Sequence, residues 1–228
     1  MASSLIRGKY VVCRAVNDDS SDVITDGAVF QRDGEIIEIG HYEDLKERHD
    51  PDEVIGSSDF VVIPGLINAH HHIGLTPFQL GSPDLPLEPW VIAKLAQRDV
   101  DPYLDTLYCA MQMIESGITT VMHNHALRWR PEGVTLDDWG ANLIEAYETS
   151  GMRVAFSLFN RDQNHLVSEN NDDFLATLPI GLVQLVQDYF PFSPVSSQEH
   201  LDLTAELIRR KQSDRVRVFI SAHNVHWC

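Results

Sequence analysis

The chain has 228 residues, 43% of them hydrophobic and 22% charged, a composition that supports a buried core in a globular protein. Its formal net charge of −17 repels phosphate backbones and anionic lipid, which argues against nucleic acid and membranes as partners. No uncharged apolar run reaches membrane-span length and Met1-Ala2-Ser3-Ser4 does not open a signal peptide. Cys13, Cys109 and Cys228 lack CxxC spacing and read as reduced thiols, so a cytoplasmic location is expected.

Residues 5 to about 62 read as short strands and turns. Tyr10-Val11-Val12 and Gly27-Ala28-Val29-Phe30 are apolar strands, and Asp33-Gly34 is a strong hairpin signal before the returning strand Glu35 to Gly40. Tyr42 to His49 reads as a short charged helix. No Gly-rich phosphate loop occurs here. The expected division is a small β-sandwich-like domain over 1–62 and a second domain over 63–228.

The apolar stretch Phe60-Val61-Val62-Ile63 leads into Pro64-Gly65-Leu66-Ile67-Asn68-Ala69-His70-His71-His72. Side chains alternate faces along a strand, so His70 and His72 share one face and His71 takes the other. Two neutral imidazoles converging on one point suit a divalent ion, zinc first and iron second. His70 and His72 are therefore candidate metal ligands; the bland alternative is a pair of satisfied strand histidines.

Leu75 to Pro89 is a loop rich in Pro, Gly and Ser. Tyr103, Leu104, Leu107, Tyr108, Met111 and Ile114 recur at helical spacing, with Gly117 at the C-terminal cap position. Ile118 to Met122 is a β-branched strand. Thr135 with Asp138 approximates a capping box for a helix that Gly151 ends. Val154 to Phe159 is the next strand. Phe174 to Tyr189 is helical in pattern, broken near Pro179-Ile180-Gly181. Ser196 with Glu199 is a proper capping box, and Val216 to Ile220 is the final strand.

From residue 60 onward, strands alternate with helices, which implies βαβ crossovers and a parallel sheet. Polar clusters follow the strands: His70 to His72, His123-Asn124-His125, Asn160 to His165, and His223-Asn224-Val225-His226. In a parallel barrel such positions share one rim, where active sites are built.

In combination these residues resemble the amidohydrolase superfamily, in its cytosine deaminase-like and S-adenosylhomocysteine deaminase-like branch. The likeness rests on Pro64-Gly65-Leu66-Ile67-Asn68-Ala69-His70-His71-His72 and on the hairpin pattern Asp26-Gly27-Ala28-Val29 with Asp33-Gly34-Glu35-Ile36. Asp84-Leu85-Pro86-Leu87 with Trp90, Glu115-Ser116-Gly117-Ile118-Thr119-Thr120 and the terminal His223 to Cys228 extend it over nearly the whole chain.

The resemblance implies an α/β fold: about the first four β/α units of a TIM (β/α)8-type barrel after a small N-terminal β domain. It implies metal-dependent hydrolysis of non-peptide carbon–nitrogen bonds, with deamination of a small aminated heterocycle as the leading expectation, in which the metal acidifies water and a Glu carries the proton to the leaving group. Hydrolytic dechlorination and cyclic-amide opening on the same scaffold remain alternatives. His70 and His72 take the metal-ligand positions. His223 matches a position that touches the heterocycle. Gln79 falls near the branch's usual Arg and Asp99 near its ribose-binding Glu, while His125, Asn160 and Gln163 are candidate pocket residues. For each of these, an ordinary hydrogen-bonded loop or surface residue is the competing reading; a second metal pair at His123 and His125 is chemically possible, but the family does not use one there.

The family's remaining His, catalytic Glu and Asp have no counterparts here, and none of the eleven histidines has Glu at the third following position. The chain is therefore expected to be a truncated form, inactive alone. A further alternative is a non-catalytic half-barrel that closes its sheet against another chain or a second copy as a homo-oligomer.

Overall fold

The first 65 residues are organised by one long strand, β1 (Ser3–Asn17), which has partners on both sides. The computed structural model describes residues 2–17, 19–73, 83–86, 89–90, 93, 100–126, 135–161, 163–167, 169–189 and 195–224. β1 pairs antiparallel with β2 (Ser20–Arg32) and parallel with β4 (Glu53–Val62), and β3 (Glu35–His41) lies antiparallel to β2. The order is β3-β2-β1-β4. Asp33 and Gly34 join β2 to β3 with φ of 52° and 85°, the positive pair whose twist suits a two-residue hairpin turn. Helix α1 (Tyr42–Arg48) contributes Tyr42 and Leu45 to a small core with Leu5, Ala28 and Phe30. The described residues thus form one sheet with a helix against it, and the second sheet of a sandwich is not among them.

The division into two compact units falls between Gly65 and Leu66. In the second unit β5 (Leu66–His71), β6 (Ile118–Ala126), β7 (Arg153–Asn160) and β8 (Val216–Ala222) are parallel and lie in chain order. Between them run α2 (Pro102–Glu115), α3 (Leu136–Ser150), α4 (Asn171–Ala176), α5 (Ile180–Tyr189) and α6 (Ser197–Lys211). Local chemistry sets the ends of these helices. Asp101 caps α2 by accepting from the Leu104 N–H, with Pro102 as the first helical residue. Thr135 caps α3, and Gly151 ends it in the left-handed region at φ 76°. Ser196 and Glu199 form a complete capping box on α6.

Alternation along the strands sends two sets of side chains to opposite faces. Val121, Val154, Phe156, Leu158, Val216 and Val218 are buried with Cys109, Ala110, Met113, Leu143, Ile144, Tyr147, Leu203 and Leu207 of the helices, and this is the main core. Met122, Asn124, Ala155, Ser157, Phe159, Phe219 and Ser221 fall on the opposite face by the same count. No helix among the described residues is long and apolar enough to cross a membrane.

Candidate metal centre

β5 is short, and its register with β6 shifts between Asn68 and His71. The histidines therefore sit where the strand leaves the ladder, at its C-terminal end. The rings of His70 and His72 meet edge to face, 4.7 Å apart between centroids with planes at 89°. His72 Nδ1 lies 2.7 Å from the Asn124 carbonyl oxygen. A carbonyl only accepts, so Nδ1 carries the proton. The His70 backbone N–H donates to Asn68 Oδ1 at 3.2 Å.

The pair continues into an aromatic wall. His72 meets Phe159 at 6.0 Å, and Phe159 meets His223 at 4.7 Å. Rings from the C-terminal ends of β5 and β7, and from just after β8, are thereby brought together.

His71 points the other way, as alternation requires. Its ring lies 5.8 Å from that of His123. Burial first, then the neighbouring imidazoles of His72 and His70, push His71 down to about 4. His123 is fully buried, 5.3 Å from both Phe156 and His125, and its Nδ1 is hydrogen-bonded to the Tyr147 hydroxyl at 3.0 Å. Burial is also the main cause holding His123 well below the ordinary imidazole range. It pushes the Tyr147 phenol upward, with Cys109 and Asp105 adding to the shift.

The structure thus separates the sequence candidates. His70, His72 and His223 share one aromatic cluster. His125 packs on Trp139 of α3, 4.8 Å between centroids, and belongs to the helix-covered face with His123. Asn160 is buried, and its side-chain amide donates to the Val195 carbonyl, tying the end of β7 to the segment that enters α6. Gln79 and Asp99 lie outside the described residues. Phe159 and Ser157 are site residues outside the polar clusters visible in the sequence, while Asn124 lies within one; alternate positions along β6 and β7 place all three on the same face.

His70 and His72 fit a divalent ion as two imidazole ligands of a larger set. Among the described residues, no group of three or more His, Cys, Asp or Glu side chains is arranged to hold a metal.

Residues 61–225 match the amidohydrolase family. The chain belongs to that family. It is 35% identical over 164 residues to a 5′-deoxyadenosine deaminase of Methanosarcina mazei, which covers 69% of this chain and 33% of the relative. It is 33% identical over 110 residues to a 5-methylthioadenosine/S-adenosylhomocysteine deaminase of Desulfitobacterium hafniense, covering 46% of this chain and 26% of the relative. Among solved structures, an atrazine chlorohydrolase of Arthrobacter aurescens TC1 complexed with zinc superimposes with a TM-score of 0.71 at 19% identity, covering 98% of this chain and 47% of that one. This amidohydrolase chain thus spans less than half the length of each of these proteins. The structural likeness establishes a TIM-barrel-like α/β fold.

Proposed function

We propose that this amidohydrolase chain carries the metal-binding start of a hydrolase that breaks a carbon–nitrogen bond in a small aminated heterocycle, releasing ammonia. On this reading β5 to β8 are the first four strands of a barrel, and residues 1–65 form its N-terminal β domain. The observation that carries the reading is the edge-to-face His70–His72 pair at the C-terminal end of the first parallel strand. The deaminase relatives, at 33–35% identity, supply the substrate class: an adenine-like amino group on a heterocycle.

His70 and His72 would hold the ion, zinc first and iron second. A divalent ion held there supplies Lewis acidity, which brings deprotonation of water into the neutral range. Phe159 and His223 meet edge to face at 76°, so the Phe159 ring offers a face for a heterocycle to stack on while the His223 imidazole can exchange hydrogen bonds with ring nitrogens.

Ile67 and Phe219 are exposed on the sheet face opposite the helices, at 72% and 47%. This favours a second reading, in which further β/α units on another chain, a second copy included, cover that face. The experiment is ammonia release from a panel of aminated purines, purine nucleosides, pyrimidines and pterins. It is run with the 228-residue chain and with that chain co-expressed with the remaining barrel units of a deaminase relative. Release by the co-expressed pair, lost in His70→Ala and His72→Ala, is expected. Release that survives both substitutions overturns the metal role, and no release from any substrate overturns the deaminase reading.

A further inference from the structure

The paired register of β5 with β6 ends at His71 and His123, and β5 itself ends there. The next carbonyl along β6, that of Asn124, takes the His72 ring instead of a strand partner, with Nδ1–H donating across 2.7 Å. Asn124 is itself held from the other side. Its Oδ1 accepts from the Ser157 hydroxyl across the Asn124–Ser157 rung of the β6–β7 ladder. Ser157 is fully buried, and its hydroxyl has few ways to turn.

A neutral imidazole protonated at Nδ1 presents its lone pair at Nε2, and the group that accepts the Nδ1 proton also fixes the plane of the ring. We propose that Asn124 and Ser157 are positioning residues for the metal. The Ser157 hydroxyl fixes the Asn124 side chain, the side chain steadies the Asn124 peptide, and the peptide carbonyl selects the Nδ1–H tautomer of His72, making Nε2 the ligating nitrogen. Among the described residues the His70 ring has no hydrogen bond to β6; its backbone N–H donates to Asn68 Oδ1 and its ring meets His72 edge to face. The two imidazoles are therefore unequal: His72 is preset by a hydrogen bond to the neighbouring strand, and His70 has no such bond to β6.

The metal role rests on the hydrolase reading, but the tautomer does not, so the two are measured separately. The metal-free 228-residue chain, labelled with 15N-histidine, is examined by NMR at about pH 8, above the ordinary imidazole range. His72 is expected to give the Nδ1-protonated pattern. Ser157→Ala, which removes one hydroxyl and little volume, and Asn124→Ala are expected to bring in the Nε2-protonated tautomer. Asn124→Asp, which keeps an acceptor for Ser157, is expected to restore the parent pattern. In the same variants zinc affinity, read by chelator competition, falls about tenfold for the two alanine substitutions. An unchanged His72 pattern in folded Ser157→Ala overturns the clamp. A shifted pattern in that variant, with no zinc bound by the parent chain, supports the clamp and sinks the metal reading instead. Should Asn124→Ala fail to fold by circular dichroism, Ser157→Ala alone decides.

Discussion

His123 and Tyr147 share a hydrogen bond of 3.0 Å in the layer between sheet and helices, where both side chains are fully buried. The other ring nitrogen of His123, Nε2, has no hydrogen-bond partner among the described residues. The phenol is therefore the one described polar contact that compensates this imidazole for its burial. Tyr147→Phe keeps the ring and removes the hydroxyl, leaving both His123 nitrogens without a described partner. A loss of about 1–3 kcal/mol is expected in urea unfolding. The double variant His123→Leu/Tyr147→Phe, which removes both partners, is expected to recover part of that loss. A double variant less stable than the sum of the single changes would contradict this account.

The same histidine makes the fold acid-sensitive. His123 is held well below its ordinary value, so the unfolded chain binds its proton more readily than the folded one. Stability is then fully present above the unfolded value of about 6.5 and is lost as pH falls through the window below it. His71, held to about 4, acts in the same direction between about 6.5 and its own folded value, with partial exposure weakening its share. The slope from a fully buried imidazole approaches about 1.4 kcal/mol per pH unit. Urea midpoints should therefore be level above neutrality and fall on acidification. His123→Gln, which no longer titrates, should flatten the fall; an equally steep acid limb in that variant would assign it to other groups.

Metal retention should follow the strand's two-residue period. His70→Ala and His72→Ala remove members of the ring pair on one face. His71→Gln alters the side chain that faces His123. After dialysis of zinc-loaded protein, metal measured by emission spectrometry is expected to be lost in the first two variants and kept in the third. The third is expected to show a lower thermal midpoint instead, because His71 packs into the helix-covered side. Loss of zinc in His71→Gln at unchanged stability would place the metal on the wrong face.

Features set by a few neighbouring residues were readable from sequence. The Asp33-Gly34 turn, the Ser196–Glu199 capping box and the opposite directions of His71 and its neighbours depend on local backbone preference or on period two. Strand length was not local. β1 and β2 run on through Arg14 and Ser20-Ser21-Asp22, where twisted hairpin pairing and the Arg14–Asp22 ion pair at 2.6 Å carry a polar extension. Proximity to a strand end was also a poor guide to the site. His125 and Asn160 sit in polar clusters after strands, yet their faces follow the buried residues two positions before each, His123 and Leu158. Counting parity within the strand separates them from Phe159, which joins the candidate centre.

Glycine tolerance in the N-terminal unit should divide by neighbours rather than by backbone angle. Gly34 and Gly56 both have positive φ, 85° and 83°. A Cβ at Gly34 would meet nothing within 4 Å, whereas at Gly56 it would run into the backbone carbonyl oxygen of Arg7 on β1. Both substitutions by alanine carry the left-handed penalty of roughly 1 kcal/mol. Only Gly56→Ala must also push apart the paired backbones of β1 and β4, which hold Arg7 opposite Gly56. Its cost in chemical denaturation is expected to exceed that of Gly34→Ala by about 1–3 kcal/mol, the scale of forcing an added methyl to shift backbone. Equal costs would mean that β4 relaxes away from β1 at this point, because backbone atoms, unlike a side-chain tip, cannot rotate clear of the added methyl.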